Sequence, residues 1–107
     1  MNNKLDFITK KDFYNPAIFK ALNEKAKEDL LRIYEYGIAK FGLNQADKYF
    51  DMLHDCFDKI ASNPFLFPEA FRFRQGYRYC VCGVDTIFYK INANEIEIMA
   101  IIGRQDF

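Results

Sequence analysis

The sequence predicts an α+β fold of order β-α-α-β-β-β, an antiparallel helix hairpin packed on an antiparallel sheet. Two observations carry this reading. The last third of the chain, Gly76 to Asp106, holds the runs Tyr77–Cys82, Asp85–Ile91 and Glu95–Ile102, rich in β-branched and aromatic residues. They are broken at Gly83-Val84 and Asn92-Ala93-Asn94, where Gly and Asn accept positive φ at little steric cost and the strand can reverse. Upstream, two stretches place apolar side chains at steps of three and four, the signature of one helix face each. The link between them is too short for anything but an antiparallel return.

The elements follow in order. Residues 1–16 are expected to be an N-terminal extension, closed by Asn15-Pro16, where proline pushes the residue before it out of the helical region. One domain spans 17–107, and it opens with a short strand, Ile18 to Leu22. Asn23 is placed to cap the first helix, with Glu24 favoured at the positive end of its dipole. Its stripe is Ala26, Leu30, Ile33, Tyr34, Gly37, Ile38 and Phe41; Glu28 and Arg32 are spaced for a surface ion pair. Gly42 stands where a helix stops on a left-handed residue. Asn44 is the expected second cap, with Asp47 helping the free N–H groups. The second stripe runs Ala46, Tyr49, Phe50, Leu53, Phe57, Ile60 and Ala61, and ends at Asn63-Pro64. Residues 64–75 form a loop with four phenylalanines, expected to anchor it to the body rather than to face solvent.

Composition limits the function classes. With 107 residues, twelve Phe and seven Tyr, one domain can build a core without staples. Fifteen basic and fifteen acidic side chains cancel, unlike the basic excess of a protein that lives by wrapping nucleic acid. No apolar run approaches the roughly 18–20 residues that span a bilayer, and Met1 to Lys11 lacks the apolar stretch of a secretory signal. The expected compartment is the cytoplasm. The cysteine count, three, is odd, and Cys80 and Cys82 alternate on one strand where a mutual bridge would be strained. All three are expected to be buried thiols, since a metal half-site would have only Cys56 and His54 to complete it.

Chemistry-bearing residues are few. His54 falls among Asp47, Asp51, Asp55 and Asp58, a solvated acidic face rather than the converging set a transition metal prefers. Arg72, Arg74, Arg78 and Arg104 are the cations suited to bidentate contact with phosphate or carboxylate. Arg78 shares a strand face with Cys80 and Cys82, opposite Tyr77, Tyr79 and Val81. If the tyrosine face packs inward, Arg78 projects onto the open sheet; the plain alternative is an ion pair with Glu95 or Glu97. Met99 and Ile101 alternate against Ile98, Ala100 and Ile102, so the last strand is apolar on both faces and a second chain is expected over it.

The stretch Leu22-Asn23-Glu24-Lys25-Ala26-Lys27-Glu28-Asp29-Leu30-Leu31-Arg32-Ile33-Tyr34, then Phe41-Gly42, Gln45-Ala46, Ala61-Ser62-Asn63-Pro64, Gly76-Tyr77-Arg78, Ile87-Phe88-Tyr89-Lys90 and Gly103-Arg104-Gln105-Asp106, resembles the ParE-type toxins of the RelE/ParE superfamily in order and spacing over residues 18–107. The chain departs from that pattern at Ile102-Gly103, where many relatives carry a His, and at Ala100, where a basic residue is common. The resemblance implies a RelE/ParE-like fold and the toxin of a type II toxin–antitoxin module. Such a toxin inhibits DNA gyrase by binding, without catalytic residues, cofactor or metal. It is neutralised by a ParD-like antitoxin, through which alone the complex meets DNA. Within that reading, Arg78, Arg104, Gln105 and Asp106 are expected to contact the target, and Arg72, Arg74, Met99 and Ile101 the antitoxin. The assembly is open between a homodimer and a hetero-oligomer with the antitoxin, with no membrane partner. Two alternatives stand beside it: a ribosome-dependent mRNA interferase of the RelE type, and an inactive toxin fold acting only through antitoxin binding and operon regulation.

Overall fold

The computed structural model describes residues 22–92 and 95–103. Helix α1 spans Glu24–Phe41 and α2 spans Leu43–Ser62, followed by strands β1 (Tyr77–Cys82), β2 (Asp85–Asn92) and β3 (Glu95–Gly103) in one antiparallel sheet of order β1-β2-β3. The expected N-terminal extension and most of the first expected strand lie outside the described residues. At the strand's end, Leu22 forms a parallel bridge to Ile98 and the Asn23 amide donates to the Ile98 carbonyl at 3.1 Å.

Local chemistry fixes the hairpin. The Asn23 side chain accepts from the Ala26 amide at 2.8 Å, the cap its position predicts. Gly42, at φ 90°, ends α1 through its amide to the Ile38 carbonyl and also stands as the N-cap of α2, displacing Asn44 into the first turn. Asp47 is likewise redirected: it accepts from the Tyr34 hydroxyl at 2.7 Å instead of serving its own helix end. Tyr34 also meets Phe50, with ring centroids 5.5 Å apart, and a Cβ on Gly37 would lie 3.3 Å from that of Ala46. Contacts that descend along α1 as they ascend along α2 make the pair antiparallel. The tips of the stripes are not buried: Phe41 is 62% exposed, and Ala61 is exposed.

The hairpin covers one sheet face. The core joins Leu22, Ala26, Leu30 and Tyr34 of the first limb, Phe50, Leu53, Phe57 and Ile60 of α2, and Ile87, Tyr89, Ile98 and Ile101 of the sheet. That Ile98 and Ile101 both face the helices departs from strict alternation. Their partners on β2 explain it: Ile98 pairs with Tyr89 and Ala100 with Phe88, so Met99 is an extra residue, a β-bulge that resets the phase of β3. The expected alternation of Met99 with Ile101 is thereby corrected: Ile101 is fully buried in this chain's own core.

The outer edge of β3 is closed by α1. Asp29, only 5% exposed, accepts from the Ile101 amide at 2.9 Å, and Arg32 donates to the Ile101 carbonyl at 3.2 Å. Two side chains thus stand in for a neighbouring strand at this residue, one way of protecting an edge. Arg32 lies 3.6 Å from Asp29 rather than pairing with Glu28 as its spacing predicts.

On the sheet face away from the helices, Thr86, Phe88 and Ala100 are buried, and the Phe73 ring stacks on Phe88 at 3.9 Å. This face was expected to be bare. It is instead partly covered by the chain's own loop, with Val81 51% exposed beside it.

Candidate interaction surface

The segment between α2 and β1 is the most exposed apolar part of the described chain. Phe65, Leu66 and Phe71 are 71%, 73% and 70% exposed, so the expected anchoring role is corrected for Phe65 and Phe71. Only part of the loop is tied down. Phe67 packs edge-on against Tyr89 with centroids 6.5 Å apart, while Phe73 covers Phe88. The backbone at 68–70 runs beside β1 as a partial fourth strand: the Ala70 amide donates to the Tyr77 carbonyl at 2.7 Å and the Tyr79 amide to the Pro68 carbonyl at 3.1 Å. The Tyr89 hydroxyl reaches the Pro64 carbonyl at 2.6 Å. Apolar side chains held outward on a pinned backbone lose little conformational entropy when a partner covers them.

Arginines accompany this patch. Arg72 and Arg74 are exposed on it, and the Arg74 guanidinium lies 5.9 Å from the Tyr77 ring centroid. Arg78 is placed differently from either sequence expectation. The cysteine face of β1 packs on the helices, so Arg78 turns to that side, donates to the Phe67 carbonyl at 2.7 Å and lies 5.3 Å from the Phe65 ring centroid. It neither projects onto the open sheet nor pairs with Glu95 or Glu97; Lys90 is the cation near Glu97, at 3.9 Å. Its contacts brace the base of the loop. Met99 is half-buried, its sulfur 3.5 Å from the Asn23 side-chain nitrogen. Arg104, Gln105 and Asp106 lie outside the described residues.

A second concavity, about 410 Å³, opens between the hairpin tip and the β1–β2 turn, lined among others by Arg32, Tyr36, Phe41, Gln45, Val84 and Gly103. Its floor is fixed by Tyr49, whose hydroxyl donates to the Asp85 carboxylate at 2.5 Å and accepts from the Val84 amide at 3.2 Å.

The sequence profile described as "ParE toxin of type II toxin-antitoxin system, parDE" matches residues 21–106 of this chain. The chain belongs to the ParE toxin family. It is similar to Toxin ParE1 of Caulobacter vibrioides, 31% identical over 81 residues that span 76% of this chain and 83% of that protein. Toxin ParE1 of Mycobacterium tuberculosis is 30% identical over 70 residues, 65% of this chain and 71% of that one. Among solved structures, a chain of the "Chromosomal ParDE TA system from P. aeruginosa" shares the fold with a TM-score of 0.69 and 18% identity, covering 77% of this chain and 90% of its own.

Within this ParE chain, His54, Tyr34, Tyr49 and Tyr89 each have a place in the packing of the described residues. The His54 ring packs between Phe50 and Phe57, with centroids 4.8 and 5.5 Å away, which corrects its expected place on a solvated acidic face. Burial pushes the Tyr34 phenol from 10.0 up to about 12, helped by its bond to the Asp47 carboxylate. Burial does the same to Tyr89, again to about 12, against the opposing pull of Arg78. Tyr49 is pushed higher still by burial and by Asp85. A phenol whose folded pKa is raised binds its proton more tightly in the native state, so this contribution is whole below pH 10.0 and is lost as pH rises through about 12. Phenolate absorbance and circular dichroism recorded together in alkali are expected to show these tyrosines ionising with unfolding; their titration near pH 10 in a folded chain would contradict it.

No described helix is long and apolar enough to cross a membrane. The cysteine expectation is also corrected. Cys56 of α2 and Cys82 of β1 form a disulfide, while Cys80 is a buried free thiol. Composition argued for three thiols because only the strand neighbours Cys80 and Cys82 are close in sequence; the partner that counts arrives from another element.

Proposed function

We propose that this chain is a toxin that inhibits DNA gyrase by binding and is neutralised by a ParD-like antitoxin. The family match across 21–106 carries the reading. Two features of the structure support action by docking. The 64–75 loop offers exposed Phe65, Leu66 and Phe71 beside Arg72 and Arg74, an apolar surface with cations at its rim that suits a partner bearing apolar and acidic side chains. The phenols of Tyr34, Tyr49 and Tyr89 serve the core and its turns, and burial raises their pKa values away from proton transfer near neutral pH.

In this reading Arg72 and Arg74 contact the antitoxin, and Arg78 acts by holding Phe65 and Phe67 in place. The protein is tested by adding it purified to gyrase with supercoiled and relaxed plasmid. Loss of supercoiling with accumulation of cleaved DNA is the expected result. Translation-dependent cutting of mRNA with gyrase untouched would overturn it in favour of an interferase. Tight antitoxin binding without any growth arrest would instead mark a toxin fold kept for regulation. Replacing both arginines, R72E with R74E, is expected to weaken antitoxin binding at least tenfold while leaving the thermal midpoint within a few degrees, since exposed charge changes cost about 0.5 kcal/mol or less in stability.

A further inference from the structure

We propose that Cys56 and Cys82 form a reversible redox staple that sets the stability of the loop carrying the contact surface. The proposal stands independently of the gyrase reading, because it concerns how the chain holds itself together.

The two cysteines are placed for it. Cys56 lies two helical turns on from Tyr49 on the same face of α2, Tyr49 already binds the carbonyl of Cys82 at 3.2 Å, and the Cα atoms of Cys56 and Cys82 are 6.6 Å apart. That separation is within the span a disulfide bridges without backbone movement. The bond closes a loop of sequence separation 26, and everything from the last part of α2, after Cys56, to the end of β1 lies inside it. That enclosed segment carries the exposed Phe65, Leu66, Phe71, Arg72 and Arg74. Without the bond, the excursion depends on a few backbone hydrogen bonds at 68–70, on Arg78 and Tyr89, and on the Phe67 and Phe73 rings. Closing a loop of this length removes freedom chiefly from the opened chain, so the staple opposes opening of the segment it encloses.

Cys80 makes the pairing selective. It is two residues from Cys82 on the same strand face, buried, and burial pushes its thiol up against the opposing effect of Lys59, so its thiolate is scarce. It is also too close along the strand to compete for Cys82 without strain.

The oxidant is a low-molecular-weight disulfide of the glutathione class. Cys56, at 9% exposed against 2% for Cys82, is the sulfur that meets it first when the segment opens. The Cys56 thiolate attacks one sulfur of the small disulfide, forming a mixed disulfide and releasing one small thiolate. The Cys82 thiolate then attacks the Cys56 sulfur, the protein bond forms and the second small thiolate leaves. Two protein thiols are oxidised, one small disulfide is reduced to two small thiols, and the two protons pass to those thiols. In a reducing compartment the pair rests as the dithiol, and the staple closes when the small-thiol pool turns oxidising.

The test uses the full chain equilibrated with oxidised or reduced glutathione, quenched with an alkylating reagent and weighed intact. The oxidised chain is expected to take one label after denaturation and the reduced chain three, with the thermal midpoint of the oxidised form higher by about 10 °C. Trypsin cleavage after Arg72 or Arg74 should leave two fragments joined in the oxidised form and separated on reduction. The variant C80S should keep the shift, and C82S should lose it. If C82S does not fold, the wild-type comparison decides alone. Three labels after oxidised glutathione, or equal midpoints in the two states, would overturn the proposal.

Discussion

Gly83→Ala is expected to lower the stability of the domain by about 3 kcal/mol and its thermal midpoint by roughly 15 °C. Gly83 sits at φ 61° in the two-residue turn that joins β1 to β2, a conformation that costs a residue with a Cβ about 1–2 kcal/mol. The added methyl would lie 2.7 Å from the Met52 methyl, 2.8 Å from the Tyr49 ring and 2.9 Å from its hydroxyl. Met52 can swing aside. Tyr49 cannot do so cheaply, because its hydroxyl is fixed between Asp85, Cys82 and Val84. The overlap therefore adds about 1–3 kcal/mol of overpacking to the backbone strain. Gly42→Ala tests a backbone effect alone: at φ 90° and ψ 165° the position is nearly reserved for glycine, and nothing stands within 4 Å of the new methyl. It is expected to cost about 1–3 kcal/mol. A Gly83→Ala loss no greater than about 1–2 kcal/mol in denaturant melts would show that the close approach of Tyr49 is not what Gly83 serves.

Asp29→Ala is expected to cost about 2–3 kcal/mol. The carboxylate is buried on α1, holds the Ile101 amide at 2.9 Å and takes the Lys25 ammonium at 2.7 Å. The lysine bond is largely solvated and contributes little. The amide bond is the greater part, since alanine leaves a buried N–H on β3 without its acceptor. Asp29→Asn keeps an acceptor and should recover more than half of the loss. Hydrogen exchange gives the specific readout: the Ile101 amide should lose protection in the alanine variant well beyond the change at Ile87, its partner across the sheet. Uniform loss at both residues would assign Asp29 a general electrostatic role instead.

These two positions show where the sequence was and was not readable. The hairpin was legible because its signals are local. Asn23 caps with its own side chain, Gly42 stops a helix by its own backbone, and the stripes fall at helical spacing whatever surrounds them. The three strands and the turn at Gly83-Val84 were legible for the same reason. The bulge at Met99 was not, because Ile98, Ala100, Ile101 and Ile102 are apolar on either phase and only the pairing with Phe88 and Tyr89 reveals the extra residue. Which face of β1 packs inward was equally open, cysteines and tyrosines both being acceptable in a core. Asp29 carried a faint signal, lying three residues after Ala26 and one before Leu30, at the border of the buried stripe. A carboxylate there is usually solvated, and the amide that holds it comes from 72 residues away.

The 64–75 loop was misjudged for a related reason. Four phenylalanines in one loop read as an anchor because burying them is favourable, yet among the described residues Phe67 and Phe73 are the two that pack on rings of the sheet. Phe65 and Phe71 are left facing out beside Arg72 and Arg74, as a surface for a partner would be. Arg78 lies off the open sheet face, donating to the Phe67 carbonyl and resting over the Phe65 ring, because the cysteine side of β1 faces the helices.

Action by docking has a quantitative signature, and the most direct test is a titration of gyrase at fixed concentration with this chain, following the fraction inhibited against the molar ratio added. Inhibition that saturates near a fixed ratio, does not deepen with time and is reversed by added antitoxin is the predicted result. Progressive loss of gyrase, or of any other target, at a small fraction of that ratio would mean turnover, and would contradict a toxin that works by occupying its target.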